Sequence, residues 1–443
     1  MKTLTFRSLV LIVIAFASVQ FGYSQTVQTA AGAITEFDVN GMKVLIKRRI
    51  GTPTVAAGLY FRGGVKNLTA ANAGIEGFAL NVAAEATKSY PRQKLRKETS
   101  SVGTVITAGA SYDFSTLAMA CTKQSFDNSW KIFVDVALNP TFAPEDVERV
   151  RGTFLTGLRA QNDSPEGALD SANESVLYAG HPYANDPQGT IANITKFKSA
   201  DLAAYHKGLI QTSRMLLVIV GDLDPTVLQK QVQEAFGSLP KGDYKESPLP
   251  SLNFSKPTVD VTAKSVETNY VKGSFAAPSI RDSDYYAMRT AMTVLQQRVF
   301  EEVRGKRNLS YAPDAELDDM AANTASISAS TTKPNEAVAV MLDEIKKIKL
   351  GSVDADTIGQ MSAYFLTTYY LKEETNAAQA AELAQYELLG GGWRNSLDFL
   401  DRMRKVKPAE VQAAANKYMK NIRFVIVGNP SDVDKSIFLQ TQN

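Results

Sequence analysis

The sequence is poor in the side chains that most often form covalent cross-links or bind metals. Its 443 residues include one cysteine and two histidines, so the chain can form neither an internal disulfide nor a histidine-rich metal centre. Stability must therefore come from the burial of apolar side chains, for which the chain is long enough. The lone cysteine, Cys121, ends a strand-like run, and we predict that it is a small core residue.

The sequence also lacks an excess of charge of either sign. It has 48 basic and 46 acidic residues, a net charge of +2, and the two signs are interleaved. This balance gives no long-range attraction to nucleic acid or to an anionic membrane. Motifs of other enzyme classes are absent too: there is no Gly-x-Ser-x-Gly, P-loop or dinucleotide fingerprint. No nucleophilic Cys–His pair is evident, which argues against a stand-alone enzyme of another chemistry.

Long hydrophobic runs are confined to the beginning of the chain. Residues 1–7 carry two positive charges, residues 8–21 are almost entirely apolar, and small residues precede Gln25. This pattern predicts a signal peptide, residues 1–24, that is cleaved near Ser24. The alternative, an N-terminal membrane anchor, is less favoured because a span needs about 20 apolar residues. We expect a periplasmic or secreted protein with no membrane span after cleavage.

The remainder of the chain contains two similar series of strand and helix patterns. Residues 25–240 form the first series and residues 258–443 the second, and the Pro-, Gly-, Ser- and Lys-rich stretch 241–257 is the predicted linker. Both series close on an apolar strand that a glycine stops, at Leu216–Asp222 and at Phe424–Asn429. The sequence therefore predicts an α+β protein of two domains of like plan, each a mixed or antiparallel sheet covered by helices.

Several local features support weaker predictions. His181 lies in a Pro-Tyr loop and is predicted to be structural, whereas His206 lies on a polar helix and is predicted to face solvent. The run 309–317 is predicted to be a strand. Gly390-Gly391-Gly392 is interpreted as the turn that ends a helix, with a mobile substrate loop as the alternative.

The segment 73–87 follows a strand-like run and is predicted to be a helix. Its positions 77, 80 and 81 share one helix face, which is the spacing of the H-x-x-E-H zinc motif. Here the three positions are Gly77, Leu80 and Asn81, none of which is a competent zinc ligand or general base. On these residues alone, an ordinary Ala-rich core helix remains an alternative.

Several landmarks together resemble the insulinase/pitrilysin family of zinc peptidases. The order and spacing of five segments carry the resemblance: Asn40–Val44, Gly103–Ser115, His181–Tyr183, Gly189–Thr190 and Val220–Asp222. It implies one half of a clamshell of that fold. The family's third zinc ligand falls at Gly157, so Gly77, Leu80, Asn81 and Gly157 are degenerate zinc-site positions. The resemblance thus implies a non-catalytic member without a metal or cofactor of its own.

One functional feature of the family is present in this sequence. Phe300–Tyr311 resembles the segment of the second domain whose Arg and Tyr contact the substrate, and these positions are Arg304 and Tyr311. The resemblance implies a hetero-oligomer with a zinc-bearing sister chain, peptide substrates, and peptide addition to the edge of strand 104–110. The alternatives are a solvent-exposed Arg with a core Tyr, and a peptide-binding or scaffold protein with no proteolytic role.

Overall fold

A computed structural model describes residues 33–440 of the chain. The predicted signal peptide lies outside these residues, so its prediction stays a prediction. Between residues 33 and 440, no helix has the length and apolar character that a membrane crossing requires.

The first half of the chain is built on a six-stranded sheet. Its strands are β1 (Ile34–Val39), β2 (Met42–Arg48), β3 (Thr54–Arg62), β4 (Val105–Ala110), β5 (Phe114–Thr122) and β6 (Met215–Gly221). They lie in the order β1-β2-β6-β3-β5-β4. Strands β2 and β6 are parallel, and the other pairs are antiparallel. The predicted strand 104–110 is present as β4, whereas β1 is an additional strand that the sequence interpretation missed.

The second half contains a five-stranded sheet of the same plan. Its strands are β7 (Thr258–Ala263), β8 (Asn269–Ala276), β9 (Asp314–Leu317), β10 (Thr324–Thr331) and β11 (Arg423–Gly428). Their order, β7-β11-β8-β10-β9, repeats the order β2-β6-β3-β5-β4 of the first sheet. Here too the pair that closes the repeat, β7 with β11, is parallel. The predicted α+β class of two like units is confirmed.

Eight α-helices lie in the first half within the described residues. They are α1 (Ile75–Ala83), α2 (Arg92–Ser101), α3 (Phe126–Leu138), α4 (Pro144–Asp163), α5 (Pro165–Leu177), α6 (Ile191–Lys196), α7 (Ser199–Leu209) and α8 (Pro225–Phe236). Three of them begin with proline, which fits the first helical position because it has no N–H to leave unpaired. Asp224 caps α8 by accepting the backbone N–H groups of Thr226 and Val227.

Eight α-helices lie in the second half within the described residues. They are α9 (Tyr285–Val299), α10 (Pro334–Lys349), α11 (Ala355–Lys372), α12 (Asn376–Leu388), α13 (Arg394–Leu397), α14 (Phe399–Lys405), α15 (Pro408–Tyr418) and α16 (Lys435–Phe438). Helix α9 continues as a π-helical segment, Phe300–Lys306. The strand predicted over 309–317 begins only at Asp314, so that prediction was wrong for its first five residues.

Each half contributes one helix to the sheet of the other half. Helix α12 packs on β3 and β6 of the first sheet, where Leu383 and Ala384 are buried among Leu45, Leu216 and Val218. Helix α5 packs on β8 and β11 of the second sheet, where Leu169 meets two buried valines. Because burial of apolar surface is the main stabilising term, these exchanged helices tie the two halves together.

The predicted linker contains neither helix nor strand, since α8 ends at Phe236 and β7 begins at Thr258. It is nevertheless packed. Phe254 is buried in an apolar cluster of the first half, and its carbonyl accepts a hydrogen bond from Asn421 Nδ2 of the second half. The exact domain boundaries stay a prediction.

Candidate functional site

Helix α1 carries three of the four degenerate positions and begins where Gly74 contacts Gly189. Gly74 precedes it with φ of +87°, a conformation that side chains other than glycine's disfavour. A Cβ on Gly74 would lie 2.5 Å from the Cα of Gly189. The backbone at Gly189 therefore lies directly against the start of α1. Eight of the nine residues of α1 are buried, and the exception is Asn81.

Of the three positions on α1, Gly77 and Leu80 are closely packed, and the Asn81 side chain makes a local hydrogen bond. A Cβ on Gly77 would lie 3.2 Å from the Cβ of Ala110 and 3.4 Å from the carbonyl oxygen of Pro187, so little space remains there. Leu80 is 1% exposed and belongs to the apolar core of the first half. Asn81 Nδ2 donates to the carbonyl of Gly77 at 2.8 Å.

The fourth position lies on a neighbouring helix. Helix α4 packs against α1, but Gly157 lies on an exposed side of α4, with no heavy atom within 4 Å of where its Cβ would be. Gly157 therefore contributes no side chain to the space between the two helices.

A buried ion pair anchors helix α1. Glu76 is 2% exposed, and its Oε2 accepts a hydrogen bond from Arg214 at 2.6 Å and from the hydroxyl of Tyr205 at 2.5 Å. Ser115 donates to the other carboxylate oxygen. Arg214 also donates through Nε to the carbonyl of Arg62 at 3.0 Å. Because every member has partners, the network holds α1, α7 and the ends of β3 and β6 in one arrangement.

The two histidines are structural, although one prediction about them was wrong. His181 accepts the backbone N–H of Tyr183 at Nδ1 and its Nε2 bonds with the carbonyl of Pro250. His206 is 6% exposed and packs edge-on against Phe142 at 5.4 Å between ring centroids. It does not face solvent, because the segment around Phe142 covers it. Burial lowers the pKa of His206 to about 4.

Arg304 and Tyr311 form a pair at the surface of the second half. Arg304 lies on the π-helical segment after α9, and Tyr311 lies in the loop before β9. The guanidinium carbon of Arg304 lies 4.2 Å from the centroid of the Tyr311 ring and 5.0 Å from that of Phe300, which is a cation–π arrangement. Tyr311 is 79% exposed, so the alternative of a core tyrosine was wrong.

The groups around this pair leave it available for a ligand. Glu302 pairs with Lys306 and Arg307, and Glu301 pairs with Lys306. Among residues 33–440, no side-chain or backbone acceptor lies within hydrogen-bonding distance of the Arg304 guanidinium or the Tyr311 hydroxyl. Neither donor therefore makes a hydrogen bond within the described residues, although the guanidinium lies against the rings of Tyr311 and Phe300.

Strand β4 forms one edge of the first sheet, as the sequence predicted. It pairs with β5 on one side, and none of the described strands pairs with its outer edge. Val105 is 56% exposed. Such an edge presents unpaired N–H and C=O groups that an extended peptide can pair with.

Two family models match consecutive parts of the chain. Residues 43–190 match the model described as insulinase (peptidase family M16), and residues 196–361 match the model described as peptidase M16 inactive domain. The chain belongs to the insulinase family. The resemblance drawn from the sequence landmarks is thereby confirmed.

Both sequence relatives and solved structures resemble this insulinase-family chain. The chain is 24% identical over 316 residues to an uncharacterized zinc protease of Mycobacterium bovis. The match covers 69% of this chain and 72% of the relative. A peptidase M16 inactive domain from Pseudomonas fluorescens superposes with a TM-score of 0.82 at 19% identity, over 89% of this chain and 98% of that one. The periplasmic protease PqqL of Escherichia coli superposes with a TM-score of 0.75 at 15% identity, over 92% of this chain but 49% of PqqL.

The side chains at the four family positions do not fit zinc. A zinc ion needs thiolate, imidazole or carboxylate ligands in a tetrahedral shell, and these positions offer two glycines, a core leucine and an amide that already donates to Gly77. The approach of Ala110 and Pro187 also closes the space beside Gly77. The insulinase-family chain is therefore a non-catalytic homologue of the family's zinc peptidases.

The sequence interpretation named Arg304 and Tyr311 as candidates, which stays a prediction, and it missed the Glu76 network. Glu76 lies within the motif segment, one residue before Gly77, where it would be expected to point to solvent. Its partner Arg214 is 138 residues away along the chain. A charged residue inside an otherwise apolar helix was the only available signal, and it does not identify the partner.

Proposed function

We propose that this chain is the non-catalytic subunit of an exported two-chain peptidase, whose sister chain of the same family carries the zinc site. The observation that carries the proposal is the Arg304–Tyr311 pair, in which Tyr311 is 79% exposed and Arg304 is half-buried, and whose donors make no hydrogen bond among the described residues. Two unpaired donors at the surface, in a chain without zinc ligands, suit a role in binding substrate beside another chain's metal.

The chemistry of the pair suits peptide hydrolysis. A guanidinium donates charge-assisted hydrogen bonds to a carbonyl oxygen, and a phenol donates one more as negative charge develops on that oxygen. The ring contact between Arg304 and Tyr311 holds the two groups side by side. In this proposal Arg304 binds a substrate carbonyl and Tyr311 stabilises the oxyanion formed at the partner's zinc.

The fold supports assembly from two halves. The chain matches about half of PqqL, so this fold occurs as one half of a longer chain. We infer that two separate chains, this one and a sister, form a similar clamshell around the substrate. The outer edge of β4 offers a place for the peptide to add as a strand.

Export is a further part of the proposal and rests on the sequence of residues 1–24. Fractionation of cells that express the full chain tests it. We expect the mature protein in the periplasm or the medium, beginning at Gln25. A full-length protein in the cytoplasm would contradict export without affecting the proposed role of Arg304 and Tyr311.

The decisive experiment uses co-expression with a sister chain that contains H-x-x-E-H. Cleavage of a peptide library by the complex is compared with cleavage by complexes that carry Arg304→Ala or Tyr311→Phe. Because a hydrogen bond to a charged group contributes about 1.5–3 kcal/mol, Arg304→Ala is expected to lower kcat/KM by about ten- to a hundredfold. Tyr311→Phe removes one hydroxyl and is expected to lower kcat/KM by about tenfold or more.

Matched controls are available in the same half. Arg404→Ala removes an exposed arginine that pairs with Asp401, and Tyr370→Phe removes the hydroxyl of a tyrosine that is 63% exposed. Both should leave cleavage unchanged. Full cleavage with Arg304→Ala and with Tyr311→Phe would rule out the proposed role and favour a peptide-binding or scaffold protein. Stoichiometric zinc or chelator-sensitive cleavage by this chain alone would contradict a non-catalytic subunit.

A further inference from the structure

The corner between α11 and α12, residues 373–375, fastens the second half of the chain to the first. Arg49, in the turn between β2 and β3, donates to the carbonyl of Glu374 at 3.2 Å and to Asn376 Oδ1 at 2.6 Å. Asn376 in turn donates through Nδ2 to the carbonyl of Thr54 at 2.6 Å. Because α12 packs on β3 and β6 of the first sheet, these hydrogen bonds hold one end of α12 in place there.

A pair of buried carboxyl groups lies at this corner. Glu373 follows α11 and is 9% exposed, and Glu382 of α12 is 7% exposed. The two carboxyls share a hydrogen bond, which requires a proton because two ionised carboxylates offer only acceptors. The backbone of Glu373 is held as well, since its carbonyl accepts a hydrogen bond from Gln379 Nε2 at 2.6 Å. The pair is thus a contact that joins the end of α11 to α12.

The charge on the pair is balanced from the first half of the chain. Lys47 of β2 is half-buried, and its charge attracts both carboxyls. One proton on the pair leaves one negative charge, which equals the positive charge of Lys47. A second negative charge at this depth would exceed that balance and would repel the first. Lys372, in the last turn of α11, also attracts Glu382, but it is exposed and water screens it.

We propose that the carboxyl pair of Glu373 and Glu382 is a pH-sensitive latch between the two halves of the chain. While the pair retains its shared proton, α12 stays packed on the first sheet. When the proton is lost, the two carboxylates repel each other, and α12 separates from β3 and β6 more often. The latch goes beyond the proposed function, because it acts within this chain and requires neither a sister chain nor a peptide.

The direction of the pH dependence follows from the burial of the pair. Burial and the adjacent Glu373 carboxyl raise the pKa of Glu382 from 4.5 to about 9 in the closed state. In the open state water surrounds the group, and its pKa returns to the ordinary value. The contribution of the pair to the closed state is therefore complete below about pH 4.5 and is lost as the pH rises towards about 9. The other titratable or charged groups around the pair are Lys47, Arg49, Tyr369, Lys372 and Tyr386.

Hydrogen–deuterium exchange of the full chain tests the latch from about pH 5 to about pH 8, where the proton is bound only in the closed state. The exchange rates of peptides from α12, Asn376–Leu388, are divided by the intrinsic rates at each pH. We expect α12 to open up to about tenfold more often per pH unit, because each opening releases one proton. Helix α3, which packs on β5 within the first half, is the reference and should show no such slope. An equal slope in α3 would indicate global unfolding and would overturn the proposal.

Two variants keep the hydrogen bond of the pair and remove its titration. In Glu382→Gln and in Glu373→Gln the amide donates to the remaining carboxylate, and Lys47 still balances the charge. Each should abolish the pH slope in α12, whereas Glu374→Gln, at an exposed carboxyl of the same corner, should retain it. A wild-type α12 without a slope, a slope that persists in a folded Glu382→Gln or Glu373→Gln protein, or a slope that Glu374→Gln removes would overturn the proposal.

Discussion

The helix that follows β3 in the first half and the helix that follows β8 in the second occupy the same place in two copies of one fold, but they differ in use. Helix α1 has nine residues, nearly all buried, and its family positions are filled by packing. Helix α9 has 15 residues and continues into the segment that carries the half-buried Arg304. The first of these helices is thus part of the core, whereas the second leads to the Arg304–Tyr311 contact near the surface.

The largest expected effect tests whether α1 depends on its buried ion pair. Glu76→Ala leaves Arg214 buried without a countercharge, which costs about 3–5 kcal/mol. Urea unfolding should show this loss of stability. Asp401→Ala in the second half also removes a carboxylate from an ion pair, but its side chain is 67% exposed. It should change stability by less than about 0.5 kcal/mol, and equal losses would contradict the comparison.

The first half, which contains both histidines, should also be the source of a loss of folding stability in mild acid. Burial depresses the pKa of His206 from 6.5 to about 4 in the folded chain, so the unfolded chain binds the proton more readily. The resulting stability is complete above about pH 6.5 and is lost as pH falls towards about 4, by about 3 kcal/mol in total. Urea unfolding at several pH values should show this slope disappear in His206→Gln and persist in His181→Gln.

The glycine contact at the start of α1 should have a smaller effect. Gly74→Ala combines a positive φ with a Cβ at 2.5 Å from Gly189, and we expect a loss of about 2–3 kcal/mol. Gly103 has φ of +65° with nothing within 4 Å of its Cβ position. Gly103→Ala should therefore cost only about 1 kcal/mol. If the two melting temperatures fall equally, the close approach of the loop contributes nothing.

The smallest expected effect concerns the second half. Arg304→Ala removes an exposed cation–π contact and should cost at most about 0.5–1 kcal/mol, and Tyr311→Phe should cost still less. Val303, the residue before Arg304, is fully buried, and Val303→Ala should cost about 1–3 kcal/mol. Thermal unfolding of the three variants compares them. A large loss in Arg304→Ala would make that arginine structural and weaken the proposed role in binding substrate.

Local pattern predicted most of the strands but not those whose limits depend on distant contacts. The closing strand β6 is apolar throughout, β11 is apolar after Arg423, and both were predictable. Strand β1 was missed, although Asn40 and Gly41, both with positive φ, form the two-residue turn that joins it to β2 and are a known hairpin signal. The early part of 309–317 has strand-like residues, but it runs outside the sheet and leaves Tyr311 exposed.

The candidate site was predictable only where the residues themselves carried the information. The absence of ligands at Gly77, Leu80, Asn81 and Gly157 follows from the sequence alone. The burial of His206 does not follow from the sequence, because the segment that covers it lies more than 60 residues earlier. Such arrangements are set by tertiary contacts that no local pattern records.

The exchange of α5 and α12 has a consequence for the order in which the chain is made. While the polypeptide grows from its amino end, the first sheet is complete long before residues 376–388 have been synthesised. Its outer apolar face then stays open until almost the whole protein exists. A nascent or truncated product that stops before α12 would expose Leu45, Leu216 and Val218, and such a product would need a chaperone to avoid aggregation.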